Sequence, residues 1–422
     1  MIAKFTLPIF LISIFFILQV TNTSSQDDSL QKRGSEKIKV FVDDDGKFLQ
    51  FLKTEVEYID YVRDIHNAEL YILITSRPTG SGGIEYQLFF SGEKRFKGIT
   101  DTLTFFSKPS YTEFEIREAL LKKIKIGLVR YIEKTLLSNN IIIKYKENKK
   151  ENPAIDNWDN WVFTVNLSGS FSGEKSVNSI SLYSYANADR VTEELKTSLF
   201  FNVSYNENNF KIPAYTIKSI SRSQSAYSLI VKSIGEHFSI GGFAECFSST
   251  YNNLKLSLNF SPAVEYDFFP YSESANKQFI LLYKIGYTRN DYYEETIYKK
   301  NSEGLFSQTL TSAISMKQKW GSLGLSLTGY HYLKDIKKNR LQFSGNLNLR
   351  VFEGFSLNIS TIFSMIHDQI SLPRQGATDE EILLRQKEIE TQYSYHCSIG
   401  FKYSFGSIFN NVVNPRFSYV GF

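Results

Sequence analysis

The sequence predicts a small α+β domain followed by an all-β transmembrane barrel of about 12 antiparallel strands, and three observations carry this reading. From Trp158 onward apolar residues recur at every second position. The apolar set is large and aromatic, in a chain of 422 residues with 35 Phe and 26 Tyr, whereas the alternate positions hold Ser, Asn, Lys and Arg. The chain also carries an export signal. Period two alone would suit a soluble sandwich equally well. Long strands, a polar second face and export together favour a barrel that turns apolar side chains to lipid and polar ones to a wet lumen.

The export signal occupies residues 1–25. Lys4 precedes an apolar run from Phe5 to Val20 and the small polar stretch Thr21–Ser25, the order of a cleaved secretory signal. The run is short for a bilayer span of about 20 residues. A mean hydropathy of −0.24 excludes a polytopic helical membrane protein. A net charge of +4 argues against a nucleic-acid partner.

Residues 36–150 read as the α+β domain, in the order βαβββαβ with two helices on one face of a sheet. Lys37–Val42 is a β-prone run closed by the turn signal Asp43-Asp44-Asp45-Gly46. Phe48, Phe51, Leu52, Val56, Ile59 and Val62 recur at helical spacing. Leu70–Thr75 reads as a buried strand and Ile84–Phe90 as its hairpin partner across Gly80–Gly83. Residues 103–106 form a further strand, 115–137 a second helix and 141–145 a closing strand. The glycine cluster lacks the Lys and Ser/Thr of a phosphate-binding loop and joins strand to strand, so it is a turn. His66 has no second ligand at metal spacing and reads as a surface residue. The charged stretch 144–152, ending at Pro153, leads through a linker at 151–157 into the barrel at 158–422.

Twelve strands are predicted near 160–172, 177–189, 194–206, 217–232, 237–249, 254–268, 277–290, 305–319, 322–333, 340–352, 355–367 and 392–406. Short connections alternate with long ones near 207–216, 291–304 and 368–391. Short turns belong to the periplasmic side, which places the N-terminal domain and the C-terminus in the periplasm. Trp158, Trp161 and Trp320 then fall at that interface. The longest loop carries a capping box, Thr378-Asp379-Glu380-Glu381, ahead of a short helix. That helix lies on the barrel rim or, alternatively, folds inward as a gate, with Glu380, Glu381 and Arg385 as its charged residues. Cys246 and Cys397 lie on distant strands and are expected as free, packed thiols.

No catalytic constellation, cofactor site or metal site emerges. The five His are unpaired in spacing, and His396 among serines is a lumen histidine before it is half of a Ser–His pair. The charges with a functional reading are those near the mouth and along the polar face: Asp189, Arg190, Glu265, Asp267, Arg350 and Lys402. They are expected to form an ion-pair network that braces the barrel or tunes selectivity.

Six stretches carry a family resemblance: IDYVRDIHNAELYILIT (59–75), ANADRVTEELK (186–196), SPAVEYDFFPYSES (261–274), KQKWGS (317–322), ISLPRQGATDEEILLR (370–385) and FGSIFNNVVNPRF (405–417). Through them the chain resembles a Bacteroidota-type group of Gram-negative outer-membrane β-barrel proteins with a small N-terminal periplasmic domain. The resemblance implies location and architecture and carries no activity. The expected partners are outer-membrane lipid, the outer-membrane insertion machinery and a periplasmic protein. The leading functional expectation is a passive or gated pore for small solutes. The alternatives are a structural or assembly protein whose periplasmic domain docks a partner and, behind both, a hydrolase within the barrel.

Overall fold

The computed structural model describes residues 37–411 apart from 45, 80–82, 145–155, 212–214, 379–380, 382–383 and 385. The export signal, most of the linker, the glycine tip of the first hairpin and the chain beyond 411 lie outside the described residues. From Lys37 onward the chain forms one compact unit.

Its N-terminal part is a mixed sheet of β1 (Lys39–Asp43), β2 (Asp60–Tyr61), β3 (Leu70–Pro78), β4 (Ile84–Gly92) and β5 (Thr100–Ser107), with α1 (Leu49–Glu55) and α2 (Glu113–Ile132). The strand order is β2-β1-β3-β4-β5, and β1 runs parallel to both β2 and β3. Alternation sorts the side chains. Val40, Val42, Leu70, Ile72, Ile74, Leu88 and Phe90 face Leu52 of α1 and Leu120, Ile124 and Leu128 of α2, forming one buried core. Thr112 and Glu115 close a capping box at the start of α2, satisfying amides that its first turn would leave orphaned. The helix lies so close to β4 that a Cβ on Gly127 would sit 2.2 Å from the Phe90 ring.

Two expected elements differ among the described residues, one shortened and one absent. The first helix stops at Glu55, where Val56 leaves helical geometry, and Asp60–Tyr61 instead pair with β1. Val56 and Ile59 still enter the core, so their spacing resembled a helix although only their burial was required. Residues 141–144 are not a strand; Ile142 and Ile143 stand exposed after a short 3-10 turn at Leu136–Asn140.

The second part is a twelve-stranded, all-antiparallel sheet in chain order. Its strands are β6 (Trp161–Gly173), β7 (Val177–Val191), β8 (Leu195–Lys211), β9 (Thr216–Ser233), β10 (Phe238–Ser249) and β11 (Leu254–Asp267). They continue with β12 (Lys277–Tyr292), β13 (Ser302–Gln318), β14 (Gly321–Tyr332), β15 (Asp335–Phe352), β16 (Phe355–Ile366) and β17 (Tyr393–Tyr403). Each predicted strand matches one of these. Closure does not follow: among the described residues β6 and β17 are not paired, and the sheet is open where a closed barrel was expected. The reason is that alternation specifies which face a side chain takes, and an open sheet satisfies it as well as a closed one.

Burial in this sheet is inverted relative to a water-soluble core. Leu167 is 80% exposed and Phe401 76%, while Ser239 and Ser307 on the other face are 5% and 4% exposed. Cys246 and Cys397 are free thiols on the apolar face. Cys397 is exposed rather than packed, because β17 is an edge strand. No helix among the described residues is long and apolar enough to cross a membrane.

The N-terminal core should melt separately from the large sheet. Replacing Leu128, fully buried between α2 and β4, with Ala is expected to cost about 2–5 kcal/mol. Hydrogen exchange should report that loss in β3, β4 and α2, with β8 to β14 unchanged.

Candidate functional site: the polar face and its two ends

Directly paired residues share a face, so the ladders define the polar one. It runs through Asn187 and Asp189 of β7, Ser198 and Asn202 of β8, Ser225 of β9, Glu245 of β10, Asn259 and Ser261 of β11, and Thr311 and Thr328 of β13 and β14. Side-chain pairs knit it together. Ser198 donates to Asp189 (2.6 Å), Ser225 to Asn202 (3.0 Å) and Asn259 to Thr288 (2.7 Å). One sector is not polar. Tyr183, Tyr185 and Phe200 follow one another at 5.8 and 5.9 Å, and Tyr227 and Phe243 at 6.0 Å, with Lys284 over Phe243 at 4.8 Å. These rings take up space on the face where small residues were expected. A groove of about 780 Å³ lies on the opposite, apolar face, floored by Ala186, Ala226 and Ala244.

At one end the N-terminal domain meets the short turns. The face of its sheet turned away from the helices carries Phe41, Asp43, Tyr71, Thr75, Arg77 and Gln87, and this face does the docking. Arg350 ion-pairs with Asp43 at 2.7 Å and stacks over Phe41 at 5.2 Å. Tyr71, fully buried, donates to Asp43 Oδ2 at 2.9 Å. Burial and the adjacent Asp43 carboxylate hold its phenol far above the ordinary range, so it stays a neutral donor. Lys319 pairs with Glu93, Arg77 reaches Ser274 (2.8 Å), and Asn276 reaches Gln87 (3.0 Å). Asp64 accepts from the Gly354 amide (2.6 Å) and from His66. Burial pushes its carboxyl up, but those hydrogen bonds outweigh it and leave the group below the usual range. A polar cavity of about 280 Å³ remains between Asp43 and Leu73 on one side and Ser322, Asn348 and Asn358 on the other.

At the other end the connection between β16 and β17 folds back over the polar face. Arg340 pairs with Asp368 (2.9 Å), and Ile370 packs against Leu305, Tyr330 and Tyr332, which the ladders place on that face. The loop then continues to the β12–β13 and β10–β11 connections. The Ile297 amide donates to Leu372 O (2.9 Å), and Arg374 pairs with Glu295 (2.7 Å). Buried Asn253 ties the strands together, donating to Glu294 O (2.9 Å) and Ser371 O (2.8 Å). Its φ of 58° is a left-handed conformation that Asn tolerates better than most residues. Lys387 bridges Glu294 (2.9 Å) and Glu381 (3.1 Å), and Glu381 closes the predicted capping box with Thr378.

The sequence-predicted charges are not brought together as one network. Asp189 sits on the polar face among Asn187 and Ser198, but Arg190, its chain neighbour, points the other way to Asp159 (2.8 Å). Successive strand residues face opposite sides, which rules out their pairing. Asp267 is fully buried and accepts from the Phe269 and Phe279 amides, capping a turn. Glu265 lies opposite Ser239 on the same face. Arg350 docks the N-terminal domain, and Lys402 is exposed on β17 opposite Ser356. Of the loop charges, Glu381 is in the anchor described above, and Glu380 and Arg385 lie outside the described residues. His396 is exposed opposite Ile362. Sequence reasoning missed Asp43, Tyr71 and Asn253, because each acts across more than 25 residues of chain and belongs to no local motif. Among the described residues no group of three or more His, Cys, Asp or Glu could hold a metal ion. No family model and no curated protein matches the chain.

The loop anchor should be acid-labile. Hydrogen bonding from the Thr378 amide and the ion pair with Lys387 hold the Glu381 carboxyl below its usual range. A carboxyl lowered in the folded state contributes stability above its unfolded pKa of about 4.3, and that contribution is lost as pH falls through the folded value. Limited proteolysis should therefore cut 367–391 more readily below about pH 4 than at pH 7, with the change weakened in Glu381→Gln.

Proposed function

We propose that the sheet closes by pairing β6 with β17 into a twelve-stranded outer-membrane barrel, and that the barrel is a narrow, gated pore for small solutes. The observation that carries the reading is the seating of Ile370 on the polar face, with its loop fastened by Arg340–Asp368, Arg374–Glu295 and Lys387–Glu294. A loop packed into a polar interior is the arrangement of a constriction. The N-terminal domain caps the periplasmic end in this reading, and the loop end faces outward. Exposed apolar strands support lipid as the surrounding medium, since water would penalise them. Twelve is an even number, so β6 and β17 run antiparallel and can join with a regular ladder. A lipid environment also favours closure, because it offers no hydrogen bonds to free edges.

The second reading is an envelope anchor that docks a partner. The interior aromatic row and the stopper at each end favour it, since both narrow any path along the polar face.

Conductance in planar bilayers separates the two. The whole protein should show small, flickering channels, and deletion of 374–391 should raise their conductance several-fold. If neither protein conducts, the pore reading fails and the anchor stands.

Closure has its own measurement. With Cys246 and Cys397 replaced by Ser, a cysteine at Ser168 should cross-link to one within Ser394–Ser398 in folded protein, which should also shift in gel mobility on boiling. Absence of both would leave an open sheet and no barrel.

A further inference from the structure

A second apolar groove, of about 710 Å³, opens on the helix-bearing side of the N-terminal domain. It is lined by Tyr58, Ile126, Val129, Ile132, Leu137 and Ile141. Ile126, Ile142 and Ile143 are exposed beside it. Contiguous apolar surface of this kind marks a docking surface rather than a solvated one.

The chain that follows β17 leads to it. The Arg63 amide donates to Ile408 O (3.0 Å), the Asn410 amide donates to Tyr61 O (2.8 Å), and Phe409 bridges Val62 in antiparallel sense. Asn411 then accepts from the Tyr61 amide (2.6 Å) and donates to Asp60 (3.0 Å). Residues 408–411 therefore extend the free edge of the N-terminal sheet at β2. Asn411 thus stands at Asp60, the first residue of β2, and Tyr58, two residues before it in the chain, lines the groove. The next residues are VVNPRFSYVGF (412–422), with six large apolar side chains and a single charge, Arg416. At about 3.3 Å per residue this segment reaches about 36 Å, beyond the roughly 30 Å of a 20-residue helix such as α2.

We propose that residues 412–422 of this chain cover the groove, so that the segment after the last strand is clamped along α2 of the N-terminal domain. The inference does not depend on whether the sheet conducts. It continues an interaction already present at Phe409 and Asn411, and it matches an apolar strip to an apolar trough.

A photo-cross-linking amino acid placed at Ile126 in the whole folded protein tests it. The expected product is an intramolecular adduct on the peptide 412–422, with none from a control position at Phe114, which is exposed but does not line the groove. Mixing isotope-labelled and unlabelled protein separates this from an adduct to a second copy. An adduct to a second copy, to a partner protein in cells or to another segment overturns the proposal. As a second measurement, Val129→Asp should speed amide exchange in 412–420 at least tenfold while β3 and β4 keep their rates. Unchanged exchange there, or no adduct at all, overturns it equally.

Discussion

The constraint on which the rest depends is the alternation of twelve consecutive strands, with apolar residues on one side and, outside the aromatic sector, mainly polar residues on the other. Its consequence is that the large sheet is not organised around a buried apolar centre. Among the buried polar positions of the large sheet are Ser219, Ser239, Ser261, Asn290 and Ser364. Each must find a partner within the face, because a buried hydroxyl or amide left alone costs about 1–3 kcal/mol. Ser261 donates to Asn259 (2.8 Å), Ser239 pairs with the Tyr271 hydroxyl (2.8 Å), and Asn290 donates to the Tyr292 hydroxyl (3.4 Å) while its Oδ1 has no partner. The cross-strand pairs Ser198–Asp189, Ser225–Asn202 and Asn259–Thr288 hold register, since a slip of one residue would exchange the two faces along the whole strand.

The same logic explains the two-sided burial of β3. Leu70, Ile72 and Ile74 take the helices, while Tyr71, Leu73 and Thr75 take the turns of the large sheet. A six-residue run without a polar face, LYILIT, is what such a strand requires, and an exposed domain would not carry it. The junction on its second side is polar where the helix side is apolar. Arg350, Lys319 and Asp64 each engage a partner fixed on the opposing part, and the guanidinium of Arg350 satisfies Asp43 while covering Phe41. Half-buried pairs of this sort contribute more to orientation than to net stability, because solvent screening and desolvation offset much of the attraction.

Much of the architecture was legible in the sequence, for a physical reason. Strand alternation is a local property, repeated twelve times, so each strand from Trp161 to Tyr403 could be placed to within a few residues; the largest differences are the extensions of β8 to Lys211 and of β15 back to Asp335. Contacts across long chain separations were not legible. The inward turn of Ile370 needs Tyr330 and Tyr332 as its floor, and nothing near residue 370 announces them. The expected Asp189–Arg190 grouping failed on the same alternation that located the strands. The misread helix through Val62 and the misread strand at 141–145 share a cause as well. Apolar spacing reports burial, and the hydrogen-bond partner that decides between helix, strand and coil lies elsewhere in the chain.

The N-terminal domain has a further structural role that follows from strand direction. Twelve alternating strands place the start of β6 and the end of β17 at the same end, the end where this domain sits. The domain is joined to the first strand by the chain entering at 156–160 and to the last by residues 408–411 pairing on β2. The strand at one edge is followed by residues that pair with this domain, and the strand at the other edge follows it in the chain. In the proposed pairing of β6 with β17, such proximity to one domain shortens the arc over which the two strands search, and loop-closure entropy falls accordingly. The domain then acts as a jig for the proposed closure as well as a cap. This ties the pattern that makes the strands to the one ladder the pattern itself does not specify.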